Sequence, residues 1–433
     1  MKPLNRAILS IALPSIVANI TTPLLGLMDV AFTGHMGSAT YLAAIAVGGT
    51  IFNMIYWIFG FLRMGTSGMT AQAFGRAGDD GDEASAILMR GMTTSLTAGI
   101  LILLLRIPIG RLSLAVMDVD TATADAAMKY FTILSAGAPA VLSTYVITGW
   151  LLGMQNAKAA MWISLVINAM NLVASCALVI GLDMKIEGVA TGTLIAQWSG
   201  FILGLVIIAR RYKVHFIPLK QLLDFEEIKR YFSINSDIFL RTLCLVAVTV
   251  WFTKAGALQG TLVLAANTLL MQFFMFFTYF VDGFAYAGEA LTGRYIGSRD
   301  RTNLRLTIST LLKWGLWIGL IFTVIYFVAG QWIVSMLTSE ESVVEASREY
   351  IGWVVLVPLA GFSSFTLDGI YIGATMTRRM LISMGVGMIV FFSIYFLTYK
   401  AIGNHGVWLA FIIYLATRGV ILFSSRHKII EQL

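Results

Sequence analysis

The chain has 433 residues, 58% of them apolar and 12% charged, with a mean hydropathy of +0.82 and a formal net charge of +7. A soluble domain carries about 25% charged residues, and a water-soluble globule of limited interior cannot bury so large an apolar share. The composition excludes a soluble enzyme, a disordered regulator and a nucleic-acid-binding domain, and points to a chain mostly immersed in lipid.

Lys2 and Arg6 precede the first apolar stretch, as in a signal peptide. Pro14, Asn19, Pro23 and Asp29 interrupt that stretch and no A-x-A site follows, so it reads as an uncleaved first span. Windows of about 19 residues place six spans at 8–33, 41–74, 86–109, 127–152, 160–182 and 187–209. A polar, basic stretch follows from Arg210 to Arg230. Six more spans fall at 231–253, 261–296, 306–335, 345–374, 380–402 and 405–424. The expected fold is an all-α integral membrane protein of twelve transmembrane helices. Residues 1–209 form an N-terminal six-helix lobe, 210–230 a cytoplasmic linker and 231–433 a C-terminal six-helix lobe.

Orientation follows from the positive charges. With the N-terminus in the cytoplasm, twenty of the thirty Lys and Arg residues, Lys220 among them, fall inside and seven outside. Arg63, Arg241 and Arg418 lie within spans. That asymmetry predicts both termini on the cytoplasmic side of the cell inner membrane.

The halves resemble each other. Leu42-Ala43-Ala44 matches Leu264-Ala265-Ala266, Gly149 and Gly153 match Gly369 and Gly373, and Gly188-Val189 matches Gly406-Val407. The order holds and the offset drifts by only a few residues, as in an old duplication. Each half starts and ends on the same side. The repeat is therefore parallel, with a pseudo-two-fold axis along the membrane normal, a plan that suits alternating access.

Polar groups inside spans are costly and usually functional. Asp29 sits in the first span with no cation nearby in sequence. Burial disfavours the charged form of a carboxylate, so such a group can hold a proton near neutral pH and release it when wetted or when a cation approaches. Pro23 removes an amide from the helix and clashes with the preceding turn, which predicts a kink beside the acid. Structural pairing of Asp29 with another helix is the alternative. Asn168, Asn171 and Ser175 share one face of the fifth span, and the sixth carries Thr191, Thr193 and Gln197. These neutral groups suit either coordination of a cation, a hydrogen bond to Asp29, or simple bonding between helices.

In the second half, Asp237 and Arg241 are four apart on one face and are expected to pair locally. Asp282 and Glu289 share a face of the eighth span, and Asp368 stands alone on the tenth; at least one is expected to line a cavity. Met275 and Phe276 belong to an aromatic and Met cluster that suits lipid contact or a greasy substrate pocket.

Cys176 and Cys244 lie in apolar runs, and four histidines, His35 among them, are scattered, so no disulfide, zinc or other metal framework is implied. There is no G-x-x-x-x-G-K-[ST], H-E-x-x-H or G-x-S-x-G. No enzyme activity, organic cofactor or nucleic-acid partner is expected.

The first span, from Ala12-Leu13-Pro14 through Gly26-Leu27-Met28-Asp29 to Gly34-His35-Met36-Gly37, resembles the opening of the MATE (multidrug and toxic compound extrusion) transporters. Phe59 to Gly75, Asp237 to Thr242 and Asp282 to Leu291 are similar to its DinF branch. The resemblance runs over nearly the whole chain. It implies two six-helix lobes in a V shape and antiport driven by a proton or sodium ion. The exported compounds would be amphipathic, often cationic, and the transporter would work as a monomer. The family's first-span acid corresponds to Asp29, its fifth-span Asn to Asn171 and its sixth-span Thr to Thr193. Ser175 stands where the family has a second acid, which disfavours a two-carboxylate sodium cage here. Asp368 is the first candidate for a cation role in the other lobe. The rivals are a flippase for lipid-linked sugars, which needs a larger, cationic cavity, and a membrane-embedded enzyme, for which no acid or His cluster speaks.

Overall fold

A computed structural model of the chain describes residues 3–34, 39–78, 81–117, 120–215, 217–218 and 224–433. Lys2, His35, Met36, Gly37, Lys220 and part of the 210–230 linker lie outside the described residues.

The chain is an all-α membrane protein. In its first part the helices are α1 (Pro3–Gly34), α2 (Ala39–Ile58), α3 (Phe61–Ala77), α4 (Asp82–Leu104), α5 (Arg106–Met117), α6 (Thr121–Ser135), α7 (Ala138–Gly153), α8 (Ala157–Ser175) and α9 (Ile186–Arg211). In the second part they are α10 (Phe225–Ala257), α11 (Thr261–Gly297), α12 (Arg301–Leu337), α13 (Glu341–Gly373), α14 (Thr377–Ile402), α15 (Asn404–Ser425) and the short α16 (His427–Ile430). Among the described residues, eleven helical segments are long and apolar enough to cross a membrane, and the bent α6–α7 pair makes a twelfth.

The spans of the first part are less regular than their apolar runs predict. The second is interrupted between Ile58 and Phe61, the third breaks at Leu105, and the fourth bends by 51° between Ser135 and Ala138. Gly137 and Pro139 flank that bend, and a proline fits the first turn of a helix but not its interior. The fifth leaves α8 through a π-turn at Cys176–Gly181. Such widened turns recur at functional sites, and this one follows Ser175. Side-chain caps start the helices where loops meet water: Asp120 accepts from the amide of Thr123, Asn156 from Ala159 and Asp300 from Asn303.

Two compact units emerge, one of residues 17–229 and one of residues 1–16 with 230–433. The core of the first includes Ile45, Phe52, Phe131, Leu134 and Val189. The second is built around aromatics, with Phe252, Phe277, Phe391, Trp408 and Tyr414 almost wholly enclosed. Its polar staple is a reciprocal amide pair, Asn267 and Asn404, each donating to the other at 2.8 Å, with Trp408 Nε1 donating to Asn267 at 2.9 Å.

The duplication read from the sequence recurs as packing. A Cβ at Gly149 of α7 would strike the Arg63 carbonyl of α3, and one at Gly153 would meet Ser67 and Ala71. In the second unit, a Cβ at Gly369 of α13 would strike Ala285 of α11, and one at Gly373 would strike Glu289 and Gly293. The glycines keep their offset of 220 and the residues facing them one of 222. Helices in lipid attract one another by close packing rather than by the hydrophobic effect, so small residues mark both interfaces.

Candidate functional site

Asp29 lies near the C-terminal end of α1 and is buried, with 5% of its surface exposed. Three helices of the first unit bring neutral donors to its carboxylate. From α6, the Tyr130 hydroxyl donates to Oδ2 at 3.0 Å. From α9, Thr193 Oγ1 lies 3.2 Å from Oδ1 and 3.3 Å from Oδ2. From α8, Asn171 Nδ2 donates to Oδ1 at 3.5 Å and to Thr193 Oγ1 at 2.8 Å. The single Thr193 proton is shared with the Val189 carbonyl, 3.1 Å away. The donated amide hydrogen from Asn171 leaves that proton free to turn toward Asp29.

Local sequence explains why these side chains meet. Gly48 of α2 gives room for the Tyr130 ring, whose Cδ1 lies 2.6 Å from where a Cβ would stand. Beside it, Phe131 stacks on Phe52 at 4.7 Å. Gly192 of α9 lets that helix approach α8, since a Cβ there would lie 2.8 Å from the Ser175 amide nitrogen. The face expected on α8 is turned inward: Asn168, Asn171 and Ser175 are all buried. Asn171 reaches Asp29, whereas Asn168 donates to the Ser164 carbonyl of its own helix at 2.9 Å. The Ser175 hydroxyl and the side-chain oxygens of Asn168 and Asn171 have no hydrogen-bond partner. Gln197 sits at the α6–α7 bend, its Oε1 against Gly137, and Trp198 beside it donates to the Ala136 carbonyl at 3.2 Å.

The second unit arranges its charges differently. Asp368 of α13 is clamped between two buried arginines through one oxygen. Arg241 of α10 and Arg418 of α15 both donate to Oδ2, the latter at 2.6 Å. This corrects two expectations. Asp368 does not stand alone, and Asp237 does not pair with Arg241. Asp237 instead accepts from Thr377 at 3.0 Å and from Arg378 at 3.4 Å, both on α14. The i, i+4 spacing gave Arg241 a possible partner, but a carboxylate on another helix took it.

Glu289 is buried on α11 against Gly373, and Asp282 is half-buried two turns earlier. Met275 and Phe276 are exposed, and Phe276 packs edge-on against Phe280 and Phe322. Among the described residues, no group of three or more His, Cys, Asp or Glu is placed to hold a metal ion.

Two residues here were not candidates from the sequence. Tyr130 gave no signal, because a tyrosine within an apolar run is unremarkable. Arg418 gave one that went unused: an arginine inside a span demands a counter-charge.

Comparison with known proteins gives a consistent picture. The family model described as MatE matches residues 14–176 and 238–397. The DNA damage-inducible protein F of Escherichia coli K12 is 37% identical over 420 residues, covering 96% of this chain and 91% of that protein. The probable multidrug resistance protein NorM of Photorhabdus laumondii is 24% identical, covering 96% of this chain and 94% of its own. Among solved structures, the Vibrio cholerae MATE transporter VcmN in the bent form superposes with a TM-score of 0.87 at 18% identity. It covers 99% of this chain and 97% of that one. A MATE in the bent conformation gives 0.86 at 20% identity, covering 99% and 96%. At such identities these structures support the fold.

Proposed function

The chain belongs to the MatE family of membrane transporters, and on that premise we propose that it is a cation-coupled antiporter that exports amphipathic, often cationic small molecules. Being a multi-pass transporter, it is not an enzyme. The proton is the favoured coupling ion and sodium the second. The observation that supports this reading is the setting of Asp29, a buried carboxylate that, among the described residues, lies within hydrogen-bond reach of the uncharged Tyr130, Asn171 and Thr193.

A carboxylate held by neutral groups can take up a proton without stranding a buried cation. When charged, it attracts a cationic substrate; when protonated, it does not. Proton and drug therefore exclude each other at one group. Facing outward, Asp29 gains a proton as drug leaves; facing inward, it loses the proton as drug is admitted. Tyr130, Asn171 and Thr193 hold the charged form.

The relative from E. coli and the positive charges concentrated on one side support placement in the inner membrane of a bacterium, with both termini in the cytoplasm. The transporter would act as a monomer on small amphipathic substrates, with lipid as its surroundings and no nucleic-acid partner. The flippase reading finds no support in the buried arginines, since Arg241 and Arg418 are committed to Asp368.

Dye efflux tests the proposal in everted vesicles with pH and sodium gradients imposed separately. The chain should export dye under the pH gradient, and Asp29→Asn should insert normally yet lose driven efflux. Wild-type efflux from that variant would refute the mechanism.

A further inference from the structure

In the second unit one imidazole joins two helices, at the end that faces outward when both termini are cytoplasmic. His405 lies in the first turn of α15 and is half-buried. Trp353 of α13 donates its indole hydrogen to Nδ1 at 3.0 Å. Nδ1 therefore keeps its lone pair, and the hydrogen of the neutral ring sits on Nε2, 3.2 Å from Glu349 Oε1. The Tyr350 ring, also on α13, lies 5.0 Å from the imidazole. Beside His405, Asn404 belongs to the amide pair that ties α15 to α11. The neighbouring elements bring further titratable groups to this end. On α13, Glu341 and Glu345 are exposed, and Arg348 donates to Gln331 of α12 at 3.2 Å. On α14 are Tyr395, Tyr399 and the exposed Lys400, and on α10 Lys254 lies over the Trp251 ring at 5.0 Å. The outer halves of α11 and α12 hold no charged residue. Among the described residues, the acid in ion-pair reach of His405 is Glu349.

An indole donates and cannot accept, and a protonated imidazole donates from both nitrogens. Once His405 takes up a proton, its Nδ1–H meets the Trp353 N–H head-on and that bond is lost. The charged ring keeps Glu349, now as an ion pair, and gains the face of Tyr350. Glu349 is exposed, and an exposed ion pair holds weakly, whereas half-buried Trp353 is left with an unmet hydrogen. We propose that His405 is a proton-operated clip on the outer face, separate from the Asp29 site. Neutral, it fastens α13 to α15 through Trp353; charged, it releases Trp353 and loosens the outer ends of both helices. Acid on the outer face thereby speeds transport, beyond its effect on the driving force. This regulatory role rests on the antiport reading and on the orientation given above; the clip itself does not.

The clip is tested first on the purified full chain in detergent. Trp353 emission is read as the difference between wild type and Trp353→Phe. It should change as the pH falls from about 8 to 5, the range in which an imidazole charges. His405→Gln, which stays neutral and keeps an acceptor and a donor, should lose that change. A flat signal in the wild type, or the same change in His405→Gln, would overturn the clip. Transport is tested in everted vesicles, whose lumen is the outer side, with ethidium, a dye of one fixed positive charge, as the probe. Lumen and bath pH are set separately. Both chains feel the same gradient, so the ratio of wild-type to His405→Gln rate reads the switch. It should rise as the lumen is acidified and stay level as the bath is. A ratio indifferent to lumen pH, or one that follows the bath, would overturn the regulatory role. Trp353→Phe, with the donor gone, should run faster than wild type at alkaline lumen pH and match it in acid; a slower rate would count against the release. If neither chain moves ethidium under a pH gradient, the antiport reading and the regulatory role fail together, and the emission change still decides the clip.

Discussion

Tyr130 and Asp29, 101 residues apart in sequence, are joined by a 3.0 Å hydrogen bond between the phenol and Oδ2 of the carboxylate. The bond links α6, just ahead of the 51° bend, to the end of α1. A hydrogen bond to a charged group is worth about 1.5–3 kcal/mol, so Tyr130 helps hold the charged, substrate-binding form.

Tyr130→Phe removes the donor and keeps the ring between Gly48 and its neighbours. We expect normal insertion and about tenfold weaker ethidium binding at neutral pH, recovered at more alkaline pH. Fluorescence titration across pH checks this. Unchanged binding at every pH would show that the phenol does not support the charge.

Gly192→Ala acts through packing. The new methyl would press on the Ser175 amide and part α8 from α9, lengthening the Asn171–Thr193 bond. Overpacking of this kind costs about 1–3 kcal/mol. We expect a lower melting temperature in detergent together with slowed efflux. Full stability and full efflux would mean the two helices are not held this close.

The fold was legible because each span announces itself as an apolar run of sufficient length, and the duplication because glycines at the interfaces keep their spacing. Breaks inside spans were less so. The π-turn after Ser175 and the bend before Pro139 arise from packing that hydropathy does not register. Asp29, Asn171 and Thr193 stood out as polar groups in apolar surroundings. Tyr130 did not, since its ring suits lipid as well as core. The partners of Asp368 were hidden by distance: Arg241 is 127 residues away and Arg418 is 50. Asp237 and Arg241 misled because spacing on one helix fixes which groups can meet, and tertiary contacts choose among them.

Asp300 offers a test of the loop chemistry at a water-facing end. Its carboxylate accepts from the Asn303 amide at 3.0 Å and caps α12. Hydrogen bonds from the Asn303 amide and side chain hold its carboxyl below the usual carboxylate range. A depressed folded-state value means the stabilisation is present above the unfolded pKa and is lost as pH falls through the folded one. Asp300→Ala should cost about 1 kcal/mol at neutral pH. The difference from wild type should shrink progressively below about pH 4. Thermal melts across pH read this; a gap that widens in acid would contradict the cap.

The central claim is that Asp29 exchanges its proton for substrate. Proton release on ethidium binding to the purified chain, in weakly buffered detergent, measures that exchange directly. The wild type should release up to one proton per bound ethidium as the pH is lowered, and Asp29→Asn should release none. Equal release from both, or none from the wild type at any pH where the dye binds, would contradict the account.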